Sequence, residues 1–483
     1  MRGRWMLVVV LLSAAFSGSA ARSQSGIAIQ TGDVVFRGGL IFDAVGDATA
    51  PNTGLIVRNG TILAINATLT GLDLAAARVI DLAPTESLLP GLFDLHAHYA
   101  MDLYGEGRID EHVVNPVVFL ANGVTSTFPA GEVNPDEMRA AREAIDAGRQ
   151  IGPRIYNSGP YFGTARPGWN AVEMTPERIR REVDDWAAKG ARGFKAKGIG
   201  PEQLAALIDQ AHVHGLTVTG HLDSGARNSV NPKAAILMGI DRIEHFMGGD
   251  AIAADRPAYA SLESLDVTGP EVKAIFNLYL SRNVFYDATV TAYDYWAKRD
   301  PQVYTYWINE MDFLTPYARK AVEARLPRRV NEQFERIYWV KRKEVKAFYD
   351  AGGGRLLTLG TDHPSWGEFL SGFGSHRELH ALVRSGIPAA AAIKIGTING
   401  ARALNVAGKL GTLEAGKLAD LFVVRGNPLQ DIRNTRNVRL VMKAGRVYDA
   451  SELLASVRGK MGPSGPEDEP KWRPTARTQS SRE

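Results

Sequence analysis

The chain has 483 residues, of which 45% are hydrophobic and 23% charged, and this composition is typical of a globular protein with a large core. Its formal net charge of +3 excludes the broadly basic surface that nucleic acid or an acidic membrane would require. The absence of cysteine excludes disulfides, thiolate metal sites and a cysteine nucleophile. We therefore expect no nucleic-acid partner.

Residues 1–24 have the pattern of a secretory signal peptide. Arg2 and Arg4 precede an apolar run from Trp5 to Phe16, and small residues follow through Ala21. The apolar run is too short to span a bilayer comfortably, which favours cleavage over an uncleaved anchor. We therefore predict an exported protein, periplasmic or secreted, without a membrane partner once the signal peptide is removed.

Short strands are predicted near both ends of the chain. In residues 25–88 they are separated by turn signals such as Asn59-Gly60, and further strands are predicted within residues 403–458. A small sheet needs a partner to cover its apolar face, so the two ends are expected to meet in one small β-sandwich. Residues 459–483 are rich in proline, serine and charge, which predicts a disordered tail.

Strand-like and helix-like stretches alternate between these ends, in residues 89–402. Helical segments such as Pro135–Ala147 and Pro201–His214 show apolar residues at three- and four-residue spacing. Eight strand-like stretches alternate with such segments, which predicts an α/β fold, a (β/α)8 TIM barrel. The stretches are residues 90–98, 123–127, 154–157, 193–197, 216–221, 242–245, 284–289 and 356–362.

Two long insertions, residues 250–280 and 290–335, flank the seventh predicted strand. The second contains many aromatic residues: Tyr293, Tyr295, Trp296, Tyr304, Tyr306, Trp307, Phe313 and Tyr317. Such residues are typical of extra helices packed outside the barrel. They are also typical of a lid over the barrel mouth that meets an apolar or aromatic substrate group. The sequence leaves both interpretations open.

The stretch from Pro90 to His98, Pro-Gly-Leu-Phe-Asp-Leu-His-Ala-His, carries the first candidate site. Side chains alternate along a strand, so Asp94, His96 and His98 share one face. Two adjacent imidazoles form either half of a metal site or a pair of hydrogen-bonded core histidines. Asp94 is expected to orient the metal ligands rather than to bind the metal.

Other ionisable residues recur where catalytic groups of a (β/α)8 barrel collect, at or near the C-terminal ends of strands. These residues are Lys195, His221, His245 and Asp362. Together with the first pair they supply four imidazoles and one carboxylate, which is a suitable ligand set for one or two divalent ions.

These motifs, in this order, resemble the metal-dependent amidohydrolase superfamily, and within it the imidazolonepropionase-like and Xaa-Pro dipeptidase-like branch. The resemblance runs from about residue 30 to 450. Besides Pro90–His98 it includes Gly193-Phe194-Lys195, Thr219-Gly220-His221, Arg242-Ile243-Glu244-His245, Gly360-Thr361-Asp362 and Gly411–Leu421. It implies a metal-dependent hydrolase acting on carbon–nitrogen bonds, and it is compatible with a homo-oligomer.

The resemblance implies a ligand set of His96, His98, Lys195, His221, His245 and Asp362. The first two histidines and the aspartate would hold one ion, and the other two histidines would hold the second. The expected ions are two Zn2+ per chain, although histidine and aspartate alone do not specify the metal.

Lys195 would be carboxylated by CO2 and bridge the two ions, because an unmodified ammonium has no lone pair to offer. Lys197 shares its strand face, so the face alone does not decide between the two lysines. If neither lysine is carboxylated, a single-metal site is the alternative.

A hydroxide bridging two divalent ions would then be the nucleophile, because the metals lower the pKa of bound water. Asp362 would take its proton and deliver it to the leaving amine. The resemblance implies hydrolysis of an amide or peptide-like bond in a dipeptide or an N-acyl amino acid, so the expected partner is a small-molecule substrate. The alternatives are a cyclic amide hydrolase, a deaminase of the same superfamily, or a non-catalytic metal- or solute-binding protein.

Candidates for substrate binding lie near the predicted strand ends: Tyr99, Tyr161, Arg166, His363 and His376. The two tyrosines could orient a carbonyl or carboxylate, and the arginine could pair with a substrate carboxylate. For His363, the sequence leaves open whether the side chain faces the pocket. For His376, packing at a helix start and substrate contact are both open.

Overall fold

The computed structural model describes residues 27–223, 229–247, 256–304, 308–363 and 367–474. The predicted signal peptide, and Tyr306 and Trp307 of the second insertion, lie outside the described residues. Within the described ranges, no helix is both long and apolar enough to cross a membrane.

The strands, in chain order, are β1 (Val34–Ile41), β2 (Ala50–Pro51), β3 (Leu55–Arg58), β4 (Thr61–Ala64), β5 (Arg78–Pro90), β6 (Leu92–Ala97), β7 (Ala100–Met101), β8 (Ile109–Asp110), β9 (Val124–Pro129), β10 (Arg154–Ile155), β11 (Tyr161–Phe162), β12 (Gly193–Lys197), β13 (Thr217–His221), β14 (Arg242–Glu244), β15 (Phe285–Asp287), β16 (Leu357–Thr358), β17 (Leu421–Arg425), β18 (Val438–Lys443) and β19 (Arg446–Asp449). The α-helices are α1 (Val114–Ala121), α2 (Pro135–Asp146), α3 (Pro176–Ala188), α4 (Pro201–Val213), α5 (Pro232–Met238), α6 (Ala258–Glu263), α7 (Pro270–Arg282), α8 (Val290–Trp296), α9 (Pro301–Tyr304), α10 (Pro316–Glu323), α11 (Glu332–Asp350), α12 (Ser371–Arg384), α13 (Ala389–Lys394), α14 (Gly400–Ala403) and α15 (Ala450–Val457). Short 3-10 helices span Glu310–Phe313, Gly353–Arg355, Ile432–Arg436 and Glu469–Trp472, and a π-helical turn spans Ile395–Asn399.

Two parallel sheets form the barrel, in the orders β10-β9-β6 and β11-β12-β13-β14-β15-β16. They meet where the Leu95 N–H of β6 donates to the Leu359 carbonyl, just past β16, at 2.9 Å. On the other side, the Arg192 N–H donates to the Asn157 carbonyl at 2.8 Å. This arrangement confirms the predicted (β/α)8 barrel, and it brings the ends of the first and last strands together.

The helices on the outside of the barrel follow the predicted apolar spacing. In α3, for example, Ile179, Val183 and Trp186 are buried, and these residues lie on one face of a 3.6-residue period. The helices α2, α3 and α4 each begin with a proline at the first turn, where its missing N–H costs no hydrogen bond. Local pattern therefore predicts these helices to within two residues at either end.

The strands from the two chain ends meet in one β-rich domain, as predicted, with one hydrogen-bonded sheet where a β-sandwich was expected. They form a single mixed sheet in the order β19-β18-β17-β5-β1-β3-β4, with β2 paired to β1. Strand β5 runs parallel to β1 and antiparallel to β17, which joins the two ends. Both faces of the sheet are covered, since Val34 and Phe36 belong to one apolar cluster and Val35 and Ile56 to another.

Strand β5 leads directly into β6, so the β-rich domain holds the first barrel strand at its base. The Gly91 N–H donates to the Asp420 carbonyl at 2.9 Å. The carboxylate of Asp420 pairs with Arg154 of β10 at 2.7 Å and accepts from the Ala444 N–H at 2.9 Å. These contacts attach the domain to two barrel strands and position the start of the stretch that carries His96.

The prediction of a disordered tail is wrong for residues 459–474. Met461 is buried, and its backbone hydrogen-bonds with Phe313 and Thr315 at 2.9 and 2.8 Å. Farther on, Arg473 pairs with Glu469 and Glu106. The composition of this segment is polar, but the second insertion offers it a packing surface, which composition cannot reveal. Residues 475–483 lie outside the described part of the chain.

Candidate metal centre

His96 and His98 lie at the C-terminal end of β6, and both imidazoles point to the carboxylate of Asp362. The His98 Nε2 is 2.8 Å and the His96 Nε2 is 3.2 Å from its Oδ1. The Asp362 N–H donates to the His96 carbonyl at 3.0 Å, and Asp362 has a φ of 47°. This left-handed conformation is uncommon for a residue other than glycine and turns the side chain toward the two histidines.

His245 and His221 complete the cluster of imidazoles. The His245 Nε2 is 3.6 Å from the Asp362 Oδ2, and its Nδ1 is 2.6 Å from the Thr289 hydroxyl. The His245 ring centroid lies 4.6 Å from that of His221 and 4.9 Å from that of His96. Residues from strands β6, β13 and β14 are therefore brought together at one end of the barrel.

The carboxylate of Asp94 accepts hydrogen bonds from residues next to this cluster. Its Oδ1 accepts from the backbone N–H groups of His96 (3.1 Å) and Thr361 (3.2 Å). Its Oδ2 accepts from the hydroxyls of Thr361 (2.9 Å) and Ser375 (3.2 Å). Burial raises the pKa of Asp94 to about 6, although these hydrogen bonds act in the opposite direction. Asp94 thus holds the backbone next to two ligand positions, which agrees with an orienting role.

Lys195, on β12, is buried and its amine contacts the Glu244 carboxylate. Burial lowers the pKa of Lys195 well below its ordinary value, and the charge of Lys197 lowers it further. Both lysines line the cavity described below, but Lys195 is the more deeply buried of the two. Burial therefore favours the neutral form of the Lys195 amine, and the neutral amine is the form that can react with CO2.

Two carboxylates in the barrel interior, Glu244 and Asp287, were not predicted as site residues. Each is fully buried, and each has an oxygen 3.5 Å from the His96 Nδ1. Burial raises the pKa of Asp287 well above its ordinary value, while the nearby Arg242 guanidinium opposes this shift. The only sequence signal for Glu244 is its position before His245, and Asp287 lies on β15, for which no ligand was predicted.

The residues fit a divalent metal centre. Within the set His96, His98 and Asp362, one ligand atom from each residue lies within 4.8 Å of the others, and the same holds for His96, Glu244 and His245. Among the residues that the structure describes, the His96 Nδ1 and the His245 Nε2 have no hydrogen-bond partner although both are buried. Imidazole nitrogen and carboxylate oxygen are the ligands that zinc prefers when thiolates are absent.

The protonation states also suit metal binding. Burial lowers the pKa of His96 and His245 well below the ordinary value, and that of His98 to about 4. Burial alone would raise the pKa of Asp362, but the imidazoles around it lower that pKa well below its ordinary value. Neutral imidazoles and an ionised carboxylate are the forms that donate electron pairs to a cation.

Comparison with known proteins identifies the family. The model of the amidohydrolase family matches residues 87–448, which is most of the chain. The chain belongs to the amidohydrolase family. It is therefore a hydrolase that acts on carbon–nitrogen bonds, as the motifs predicted. No curated protein sequence matches this amidohydrolase.

Solved structures share the fold of this amidohydrolase at low identity. A Xaa-Pro dipeptidase with bound methionine is 21% identical and has a TM-score of 0.64, covering 86% of this chain and 100% of its own. A prolidase described as putative, from Bifidobacterium longum, is 23% identical with a TM-score of 0.62, covering 88% and 98%. Molinate hydrolase is 20% identical with a TM-score of 0.66, covering 91% and 99%.

The centre of the amidohydrolase opens into a cavity of about 600 Å³. Besides the histidines and Asp362, its lining includes Arg108, Tyr161, Lys197, Tyr259, Tyr293, Trp296 and Phe334. The second insertion therefore contributes to the cavity through Tyr293 and Trp296, while Tyr295 and Phe313 are buried in the core. The insertion thus supplies residues of the core and residues of the cavity lining, and the contact of the latter with a substrate group stays a prediction.

Of the five predicted substrate-binding residues, Tyr161 lines the cavity. Two others do not line the cavity that the described residues form. The Tyr99 hydroxyl bonds to the Thr127 hydroxyl at 2.8 Å, and its ring packs in the core. Arg166 pairs with Glu182 at 2.5 Å. For these two residues, a position next to a strand end in the sequence does not bring the side chain into the cavity.

The two predicted histidines, His363 and His376, are also absent from the cavity lining that the described residues form. His363 is fully buried, with its Nε2 3.4 Å from the Thr291 carbonyl, even though it follows Asp362 directly. His376, in α12, lies with its Nδ1 3.1 Å from the Thr435 hydroxyl. Its helix begins at Ser371, before the predicted helix start, and packs against the segment Ile432–Arg436, so the buried ring lies between two packed elements.

Proposed function

We propose that this amidohydrolase is an exported, metal-dependent enzyme that hydrolyses an amide or peptide-like bond in a dipeptide or an N-acyl amino acid. The observation that carries the proposal is the position of Asp362. Its carboxylate lies within 3.6 Å of three buried imidazoles, at the inner end of a cavity large enough for a small substrate.

This geometry and the family membership support the following ligand assignment. His96, His98 and Asp362 would hold one divalent ion, and His221 and His245 would hold the second. When bound, the ions supply a Lewis acid for the substrate carbonyl and lower the pKa of water, which makes it nucleophilic at neutral pH. Zinc is the metal that we propose, because the donors are imidazoles and carboxylate.

Asp362 would move the proton. Its pKa is held low by the surrounding imidazoles, so the carboxylate is ionised and can accept a proton from the attacking water. It can then deliver that proton to the nitrogen of the leaving amine, whose bond to the carbonyl carbon breaks. The hydrogen bond from the Asp362 N–H to the His96 carbonyl holds the Asp362 backbone beside His96, which keeps the carboxylate at the imidazole cluster.

We further propose that Lys195 is carboxylated. The neutral amine would attack the carbon of CO2 and lose one proton to solvent, which yields a carbamate with two oxygen ligands. In the structure, the Lys195 amine pairs with Glu244. A carbamate in that place would repel Glu244, so the modification requires the positive charge of bound ions nearby.

The proposal of export rests on the signal-peptide pattern of residues 1–24. Amino-terminal sequencing of the protein recovered from each cell fraction would test it. Recovery outside the cytoplasm of a chain that begins near residue 25 is expected. A full-length chain in the cytoplasm would contradict export without affecting the proposed chemistry.

The enzymatic proposal is tested by metal analysis and a substrate screen. The library would contain dipeptides, N-acyl amino acids, cyclic amides and heterocyclic amines, with Asp362→Asn as the inactive control. Two metal ions per chain, cleavage of linear amides and loss of turnover in the variant are expected. Turnover confined to cyclic amides, or ammonia release from heterocyclic amines, would favour the alternative reactions. Metal binding without any turnover would favour a binding protein.

A further inference from the structure

One side of the cavity is formed by three aromatic rings, which we call the aromatic wall: Tyr259 in α6, Tyr293 in α8 and Phe334 in α11. The Phe334 ring centroid lies 5.5 Å from that of Tyr259 and 5.4 Å from that of Tyr293. Three helices that are distant along the chain therefore build one continuous surface. Such contacts between rings hold a fixed shape, because each ring has only two side-chain torsions.

The aromatic wall begins at the metal ligands. The Tyr293 ring centroid lies 6.5 Å from that of His245, with the two planes at 90°. The Tyr259 ring lies 5.3 Å from the Phe246 ring, which in turn lies 5.1 Å from the His221 ring. A substrate group that packs on the wall is consequently held next to the bond that is cut.

The aromatic wall is partly accessible from the cavity. Tyr293 is buried, whereas Tyr259 and Phe334 are half-buried and line the cavity. Apolar ring surface that is left accessible inside a cavity, beside a few polar groups, is typical of a site for an apolar ligand group.

Among the residues that the structure describes, one guanidinium, that of Arg108, lines the same cavity, and it comes from a different element. It directly precedes β8, which pairs with β7 through Met101 and Ile109. The hairpin is anchored at its base, because the Glu111 carboxylate accepts from the Val114 and Asn115 N–H groups at 2.8 and 2.7 Å. The backbone that carries Arg108 is thus fixed at the rim of the site.

Arg108 belongs to the His98 side of the centre, because its hairpin directly follows β6 and the Glu111 N–H donates to the Tyr99 carbonyl at 2.7 Å. Within the described residues, Arg108 has neither an ion pair nor a hydrogen bond of its side chain. A second carboxylate that lines the cavity, Asp102, already accepts from the Gly105 N–H at 2.6 Å. A fixed guanidinium inside a cavity is a ready partner for a carboxylate brought by a ligand.

We propose that the cavity selects amides whose released amino acid has a free carboxylate, bound by Arg108, and an aromatic or large apolar side chain, packed on the aromatic wall. The carboxylate and the side chain of an amino acid leave its α-carbon in different directions. In the cavity, the Arg108 guanidinium belongs to the His98 side, and the aromatic wall lies on the side of His221 and His245. This assignment rests on the proposed amide hydrolysis and narrows it to N-acyl aromatic amino acids and dipeptides that end in such a residue.

Four substrates separate the two recognition elements: N-acetyl-L-phenylalanine, its carboxamide, N-acetyl-L-alanine and its carboxamide. We expect the highest kcat/KM for N-acetyl-L-phenylalanine. Arg108→Gln should lower that value about 10- to 100-fold, the range for a lost charge-assisted hydrogen bond, and leave both carboxamides nearly unchanged. The matched control is Arg149→Gln, because Arg149 is exposed and is not among the residues that line the cavity.

For the wall, Phe334→Ala should reduce the preference for phenylalanine over alanine about 10-fold. Trp339→Ala, which changes an exposed ring on the same helix, should leave the preference intact. Equal kcat/KM for phenylalanine and alanine substrates, or an equal loss on acids and carboxamides in Arg108→Gln, would overturn the assignment while amide hydrolysis stands.

If the metal-loaded enzyme cuts none of the four, calorimetry of product-like probes still tests the cavity. We expect L-phenylalanine to bind more tightly than glycine, which lacks the ring, and than 2-phenylethylamine, which lacks the carboxylate. Arg108→Gln should remove the advantage over the amine. Equal binding of all three probes would overturn the assignment, whereas the expected order together with absent turnover would refute only the proposed reaction.

Discussion

The Nε2 atom of His98 lies 2.8 Å from the Oδ1 atom of Asp362, although 264 positions separate the two residues in the chain. His98 follows the first barrel strand and Asp362 follows the last. The hydrogen bond between Leu95 and Leu359, which joins β6 to the end of β16, brings them together. The centre therefore exists only when the barrel is closed.

Asp362→Asn should lower kcat by about 100-fold or more, because the amide cannot accept the proton that the carboxylate takes. The fold should persist, since the backbone hydrogen bond to His96 does not involve the side chain. Steady-state kinetics, metal analysis and the thermal midpoint check this. Asp209→Asn, at an exposed position, is the control. Unchanged turnover in Asp362→Asn would remove the proton-carrying role.

Removal of metal with a chelator should lower the thermal midpoint, because ions that bind only the folded chain stabilise it. At a free metal concentration one hundred times the Kd, this stabilisation is about 2.7 kcal/mol. Readdition of zinc should restore both the midpoint and the activity. Differential scanning calorimetry of the metal-free and the reloaded protein provides the measurement. Identical midpoints for protein with two ions and with none would contradict a centre built from His96, His98, His221, His245 and Asp362.

Lys195→Gln should reduce the metal content from two ions to one or fewer, because the bridging ligand is lost. Lys197→Gln, two residues farther on the same strand face, should retain two ions. Metal analysis of both variants, together with a search for carbamate density or a carbamate mass on Lys195, decides between the lysines. Full metal content in Lys195→Gln, or a bare amine beside two ions, would refute the bridging role.

Asp94→Asn should weaken metal binding about 10- to 100-fold, as is common when a group that orients ligands is changed. The reason is that its two oxygens accept four hydrogen bonds, and an amide can present only one of them as an acceptor. Competition with a chromophoric chelator measures the affinity. Ser375→Ala removes only one of the four bonds and should have a smaller effect. Equal effects of the two changes would argue against orientation by Asp94.

Glu132→Gln should change how stability depends on pH. Burial raises the pKa of Glu132 to about 8, although the carboxylate accepts from the Asn157 amide (2.8 Å) and the Ser158 N–H (3.0 Å). A carboxyl group whose pKa is raised by folding contributes stability below its unfolded value, 4.5, and loses it as the pH rises through the folded value.

The glutamine variant cannot titrate, so its free energy of unfolding relative to the original chain should rise by about 2–4 kcal/mol between about pH 5 and pH 9. Urea unfolding of both proteins at several pH values gives this difference. A difference that does not vary with pH would mean that Glu132 titrates normally in the folded protein.

Much of the fold could be predicted because its signals are local. The helix α4, predicted over Pro201–His214 and observed over Pro201–Val213, follows from apolar spacing and a proline at its start. The proposed ligand positions were predicted from a simple rule, since parallel strands present their C-terminal ends at one edge of a barrel. For this reason His221, at the last residue of β13, could be assigned before any distance was known.

Tertiary structure alone decided what surrounds those ligands. Glu244 and Asp287 join the centre because parallel register sets them beside each other and turns both toward His96, and no local pattern encodes this. By contrast, His363 follows a ligand directly and yet packs away from the cavity. Sequence periodicity reports which face a side chain takes on its own element. Whether that face meets a cavity, a core or another charge depends on elements hundreds of residues away, which only closure of the barrel brings together.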